Sequence, residues 1–151
     1  MKQLFTILSF AFLGHQSIAQ DSTFWQHAFD YEVGQKETIE RDWGREVICY
    51  LGNIKWKSPS GKELEIRIVT SYQQITKANG FNDRCILSLV KADHTLIKSY
   101  DLVKRLNLPF EIRDNSLVYN IEGEEIISPL PEKFGPRLCV KGHTCFGEII
   151  L

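Results

Sequence analysis

Four segments with the composition of β-strands follow one another between residues 84 and 121, and this run constrains the fold more than any other part of the chain. They are residues 84–91, 96–102, 108–113 and 116–121. A four-residue turn separates the first two, and Asp114 with Asn115 separates the last two. Both residue types tolerate positive φ, which suits a two-residue hairpin turn. Consecutive hairpins predict an antiparallel β-sheet.

The same pattern extends towards both ends of the chain. Apolar and polar residues alternate over residues 64–72, which predicts a strand with one solvent-exposed face and one buried face. Residues 46–51 and 54–57 are interpreted as two strands joined at Gly52 and Asn53, because a glycine often opens a two-residue hairpin loop. Shorter strands are predicted at residues 125–127, 137–140 and 145–151.

Residues 20–43 follow no clear period and are predicted to form a short helical or irregular lead-in, with residues 36–42 as a short exposed helix. A chain of 151 residues is long enough for one domain with a substantial core. Its hairpins must stack or curl to bury their inner faces. We therefore predict a mainly β domain over residues 20–151, an antiparallel meander of hairpins that forms a small β-sandwich or partly open barrel.

The first nineteen residues have the three-part layout of a secretory signal peptide. Lys2 supplies a basic start, residues 4–13 form an apolar run, and Ser17 and Ala19 are small residues before the expected cleavage point. The run is about half of the roughly 20 residues needed to span a bilayer. Residues 1–19 thus predict export, with a periplasmic or extracellular mature chain and no transmembrane segment in it.

The chain contains four cysteines, Cys49, Cys85, Cys139 and Cys145. An even number in an exported chain predicts two disulfides, although three connectivities are possible. We favour Cys49 with Cys85 and Cys139 with Cys145, because the last two are close in sequence and flank a turn that contains a glycine.

The segment that holds Cys139, His143 and Cys145 is the densest group of reactive side chains. In the reduced form it could bind zinc or copper, or serve a small secreted hydrolase, since thiolates and an imidazole suit both roles. Three ligands in an oxidising compartment are a weak metal signal, so a disulfide-closed loop is preferred and no metal or cofactor is predicted.

Trp25, Trp43 and Trp56 suggest another alternative, a carbohydrate-binding module that stacks exposed rings on sugars. Trp56 alternates with Lys55 and Lys57. If the lysines face water, the parity of a strand points Trp56 towards the core.

The formal net charge is −1, which argues against strong attraction to nucleic acid or to an anionic membrane. The sequence contains no phosphate-binding loop, nucleophile elbow or H-E-x-x-H motif. We therefore predict a non-enzymatic domain that binds a protein partner, as a binding module, inhibitor or envelope component. The expected recognition loops are residues 74–83 and 129–136, the longest irregular stretches.

Overall fold

The computed structural model describes residues 27–140 and 142–149, with the backbone alone at Leu106. The predicted signal peptide and Trp25 lie outside the described residues. Within the described ranges, no helix is long and apolar enough to cross a membrane.

The part of the chain that the structure describes contains ten β-strands and one 3₁₀ turn. They are, in chain order, β1 (Lys36–Arg41), β2 (Gly44–Lys57), β3 (Glu63–Lys77), β4 (Gly80–Lys91), β5 (Leu96–Asp101), the 3₁₀ turn (Arg105–Asn107), β6 (Glu111–Arg113), β7 (Ser116–Ile121), β8 (Glu124–Ser128), β9 (Arg137–Cys139) and β10 (Cys145–Glu148). Every strand pairing is antiparallel. The predicted mainly β, antiparallel fold is confirmed.

The strands form two sheets. The larger has the order β1-β2-β3-β4-β5-β10-β9, and the smaller has the order β6-β7-β8. The first five strands pair in chain order as a meander, the arrangement that the sequence predicts, although their bounds differ from the predicted ones at β1 and β2. The chain then leaves for the second sheet and returns as β10, which pairs with β5. The described sheets do not close into a barrel, so the sandwich-like alternative of the prediction holds.

A shared hydrophobic core lies between the inner faces of the two sheets. The buried aliphatic and aromatic residues of this core include Ile54, Ile66, Ile68, Leu87, Leu89, Tyr100, Leu117, Tyr119 and Phe146. Each fully buried aliphatic side chain stabilises the fold by about 1.5–3 kcal/mol relative to exposure. The core therefore holds the smaller sheet on the larger one.

β2 continues through Gly52 and Asn53, so the hairpin predicted there is wrong. Its register with β3 shifts between Tyr50 and Gly52, which marks a β-bulge. Gly52 has a φ of 120°, a conformation that residues with a side chain rarely adopt. The extra residue also explains why Leu51 and Ile54, three positions apart, both face the core.

Two further predictions about local structure are wrong. Residues 36–42 are mostly the edge strand β1 rather than a helix, because they pair with β2 and bury Ile39 against the outer face of the larger sheet. Residues 74–83 are not an irregular loop. β3 and β4 continue as a paired hairpin to Lys77 and Gly80, and cross-strand pairing overrides the local turn composition.

Residues 129–136 lie outside the strands, as predicted, but they pack onto the core. Leu130 and Phe134 contact the core cluster, and the Trp56 Nε1–H group donates a hydrogen bond of 2.8 Å to the carbonyl of Pro131. This stretch therefore packs against the core as an ordered segment and does not project from it as a free loop.

Asn115 joins the two sheets through its side chain. β1 pairs with β2 only as far as Cys49, so no described strand pairs with the backbone of Lys55 on that side. The Asn115 amide accepts from the Lys55 N–H and donates to the Lys55 carbonyl, each at 2.7 Å. Asn115 thus takes the place of a strand at this edge.

We expect Asn115→Gly to lower the free energy of unfolding by about 1–2 kcal/mol, because glycine keeps the turn but deletes two hydrogen bonds. Asn115→Ala should cost about 1 kcal/mol more, since Asn115 has a φ of 61° that alanine tolerates poorly. Urea unfolding measures both, with Asp114→Gly as the control in the same turn. A loss for Asn115→Gly no greater than for Asp114→Gly would contradict the sheet-joining role.

Candidate functional site

An open cleft of about 400 Å³ lies on the inner face of β1, β2 and β3. Its other side is the segment from the 3₁₀ turn to β6, together with Asn120 of β7. We call it the inter-sheet cleft. Its volume is within the range of small-molecule binding sites, roughly 300–1,000 Å³.

The walls of the inter-sheet cleft are largely apolar. The apolar side chains are Val47, Leu51, Leu108, Pro109 and Phe110. Phe110 is 47% exposed, so a large aromatic ring stands at the rim instead of in the core. Exposed aromatic surface beside a concave apolar site is typical of binding sites.

Two cationic side chains enter the inter-sheet cleft from different elements. Lys36 comes from the edge strand β1, and Arg105 comes from the 3₁₀ turn. The guanidinium carbon of Arg105 lies 4.8 Å from the centre of the Tyr72 ring, a cation–π contact that fixes its position. Among the described residues that line the cleft, none is acidic. The site is therefore positively charged.

The neutral polar groups of the cleft are partly engaged within the protein. The Tyr72 hydroxyl donates a hydrogen bond of 3.0 Å to Asp83, and desolvation together with that carboxylate raises the pKa of Tyr72. Thr70 and Asn120 also line the cleft. These groups offer hydrogen-bonding sites without adding charge.

Cys49 and Cys85 are free thiols, so the predicted disulfide between them is wrong. Cys49 lies opposite Thr70 of β3, and Cys85 lies opposite Tyr72 on the other side of the same strand. Two strand spacings separate them by about 9–10 Å, whereas disulfides need Cα atoms about 4.4–6.8 Å apart.

Both thiols are poor nucleophiles. Burial raises the pKa of Cys49, and the charge of Lys36 only partly offsets this. Burial, with Asp101 and Asp83 nearby, raises the pKa of Cys85 to about 11. Reaction at cysteine needs the thiolate, so neither group is activated at neutral pH. Cys49 lines the inter-sheet cleft and Cys85 does not.

Cys139 and Cys145 form a disulfide, as predicted. They lie directly opposite each other on β9 and β10, with Cα atoms 3.9 Å apart, and both are exposed. His143 is exposed in the turn between them. Both sulfurs are consumed in the bond, so metal binding or hydrolysis at this place would first require reduction. In the described residues, no group of three or more His, Cys, Asp or Glu side chains could hold a metal ion.

Trp56 faces inward, as its alternation with lysines predicts. Its ring stacks on Phe134 with centroids 4.6 Å apart and packs against the core. Trp43 is half-buried in the turn before β2, whereas Trp56 lies near the far end of that strand. These two rings therefore do not form a joint platform for a sugar.

A second opening of about 580 Å³ brings His143 and Cys145 beside the segment that precedes the 3₁₀ turn. Its charged side chains, Lys104 and Glu122, have opposite signs. The inter-sheet cleft is the stronger candidate for an anion site, because both of its charged side chains are cationic and its walls are largely apolar.

Sequence reasoning missed the inter-sheet cleft. Lys36 falls in the predicted helix, Arg105 in the link between two predicted strands, and Phe110 in the predicted strand 108–113. Comparison with protein-family models, with curated proteins and with solved structures gives no match. The fold and the site define a two-sheet antiparallel β-domain with an open, positively charged cleft.

Proposed function

We propose that this protein is an exported, non-enzymatic binding domain that holds its partner in the inter-sheet cleft. The observation that carries the proposal is an apolar cleft of about 400 Å³ into which two cationic side chains enter. Concave apolar sites with a few convergent polar groups are the usual form of ligand-binding sites.

The chemistry of the cleft supports binding over catalysis. Cys49 is its one lining thiol among the described residues, and burial raises its pKa. Lys36 and Arg105 are cations that attract and orient an anion. General acid–base or nucleophilic catalysis needs an activated group with a partner that takes its proton, and the described lining residues do not supply this pair.

The exposed disulfide between Cys139 and Cys145 supports the proposal of export. Disulfides form and persist in oxidising compartments such as the periplasm and the extracellular space. The layout of residues 1–19 predicts the same destination from the sequence.

The size of the cleft favours a small ligand over the protein partner that the sequence predicts. Protein interfaces of standard size bury about 800 Å² on each side. A cleft of about 400 Å³ suits a single small molecule.

Filling the cleft should weaken binding strongly. Val47 is half-buried and lines the cleft from β2, so Val47→Trp should place an indole in the open volume. With 1-anilinonaphthalene-8-sulfonate as an apolar anionic probe, fluorescence titration should show at least a tenfold weaker affinity. Thr95→Trp, at an exposed turn position, is the matched control and should bind like the unmodified protein.

Circular dichroism and urea unfolding would show that both tryptophan variants are folded. Unchanged probe binding by a folded Val47→Trp variant would rule out the inter-sheet cleft as the binding site.

A further inference from the structure

We infer that the ligand of the inter-sheet cleft is a small amphipathic anion, an aliphatic body that ends in a single carboxylate. This inference rests on the proposed function and adds the chemical class of the ligand. Its basis is the separation of the cleft into an apolar wall and a positively charged boundary.

The apolar wall selects the body of the ligand. Val47, Leu51 and Leu108 present aliphatic side chains, and Phe110 covers the rim. Burying an aliphatic chain against such a wall is favourable in proportion to the apolar area removed from water. A strongly polar molecule, such as a sugar, would leave hydroxyl groups without partners along this wall.

The charge of the cleft selects the head group. Lys36 and Arg105 contribute two positive charges, and the described lining residues contribute no negative charge. In the described part of the chain, neither side chain is part of an ion pair. A ligand carboxylate would therefore meet cations that are not already neutralised.

Arg105 is the better placed of the two cations. The Tyr72 ring holds its guanidinium group at 4.8 Å, so less side-chain entropy is lost when an anion binds. Asp83 bonds to the Tyr72 hydroxyl but does not line the cleft, so it leaves the cleft surface positive. Lys36 is exposed on the edge strand and is the more mobile partner.

The test compares three eight-carbon ligands by isothermal titration calorimetry at low ionic strength. Octanoate should bind at least tenfold more tightly than 1-octanol, which has the same chain without the charge. Octylammonium should bind most weakly, because its head group is repelled by both cations. Arg105→Gln should weaken octanoate binding about tenfold and Lys36→Gln about threefold, while both leave 1-octanol within twofold.

Lys57→Gln is the control for a general change in charge, since Lys57 is exposed at the far end of β2 and does not line the cleft. It should leave octanoate affinity unchanged. Equal affinities for octanoate and 1-octanol, both lost in Val47→Trp, would overturn the inference and leave the binding site in place. Octanoate binding that Arg105→Gln and Lys36→Gln do not weaken would also overturn it. If Val47→Trp alters the binding of none of the ligands, the proposed function fails with it.

Discussion

Replacement of Glu46 by leucine should lower the free energy of unfolding by about 3 kcal/mol, because it removes the buried carboxylate that pairs with the partly exposed Arg41 and accepts from two other side chains. The Glu46 side chain is 1% exposed and accepts two hydrogen bonds from Arg41, at 3.0 and 3.1 Å. The Ser71 hydroxyl and the Gln73 amide donate to its other oxygen, at 2.8 and 2.9 Å. Leucine would leave one charged and two neutral donors without an acceptor.

Glu40→Leu is the matched control for this prediction. Glu40 lies on the same β1–β2 hairpin and is paired with Arg45 at 2.8 Å, but both side chains are largely exposed. Exposed ion pairs contribute about 1 kcal/mol or less. Urea unfolding should separate the two variants clearly. Equal losses would show that the Glu46 network does not stabilise the sheet as its geometry indicates.

The second large effect is expected for Gly44→Ala, which should lower the free energy of unfolding by about 3 kcal/mol. Gly44 has a φ of 143°, and a Cβ atom there would lie 2.1 Å from the carbonyl oxygen of Gln74. That oxygen belongs to the backbone of β3, so the start of β2 would have to move away from its partner strand. Strain and lost pairing therefore act together.

Gly61→Ala tests the contribution of backbone conformation alone. Gly61 has a φ of 83°, and a Cβ atom there would meet no other atom within 4 Å. Gly61→Ala should lower the free energy of unfolding by about 1–2 kcal/mol, because alanine must adopt the left-handed conformation but meets no steric clash. A Gly44→Ala variant no less stable than Gly61→Ala would contradict the close approach of β2 to β3.

Most of the strands could be predicted because their signals are local. The hairpin turn at Asp114 and Asn115 forms as predicted, with φ values of 48° and 61°. The β-bulge at Gly52 has the local sequence pattern of a turn, because a glycine with positive φ serves both structures. Only the pairing of β2 with the full length of β3 distinguishes the bulge from a hairpin turn, and a local stretch of sequence does not contain that pairing.

The inter-sheet cleft could not be predicted from the sequence for the same reason. It combines Lys36 with Arg105 and Phe110, which lie about seventy residues further along the chain. The incorrect disulfide has a related cause. Cys49 and Cys85 share the inner face of one sheet, but the strand between them keeps them apart.

The inter-sheet cleft is tested most directly by the alkylation of a thiol introduced into its wall. The native thiols are too buried for this purpose, since Cys49 is 4% exposed and Cys85 is 0% exposed. Val47→Cys places a thiol at a half-buried position of the cleft wall, and Thr95→Cys places one at an exposed turn outside the cleft as the control. Maleimide labelling of each folded variant, quantified at the new position by peptide mass spectrometry, is compared with and without saturating 1-anilinonaphthalene-8-sulfonate. We predict that the probe slows labelling at position 47 at least fivefold and leaves the rate at position 95 unchanged. Labelling at position 47 at the same rate in the presence of bound probe would contradict binding in the inter-sheet cleft.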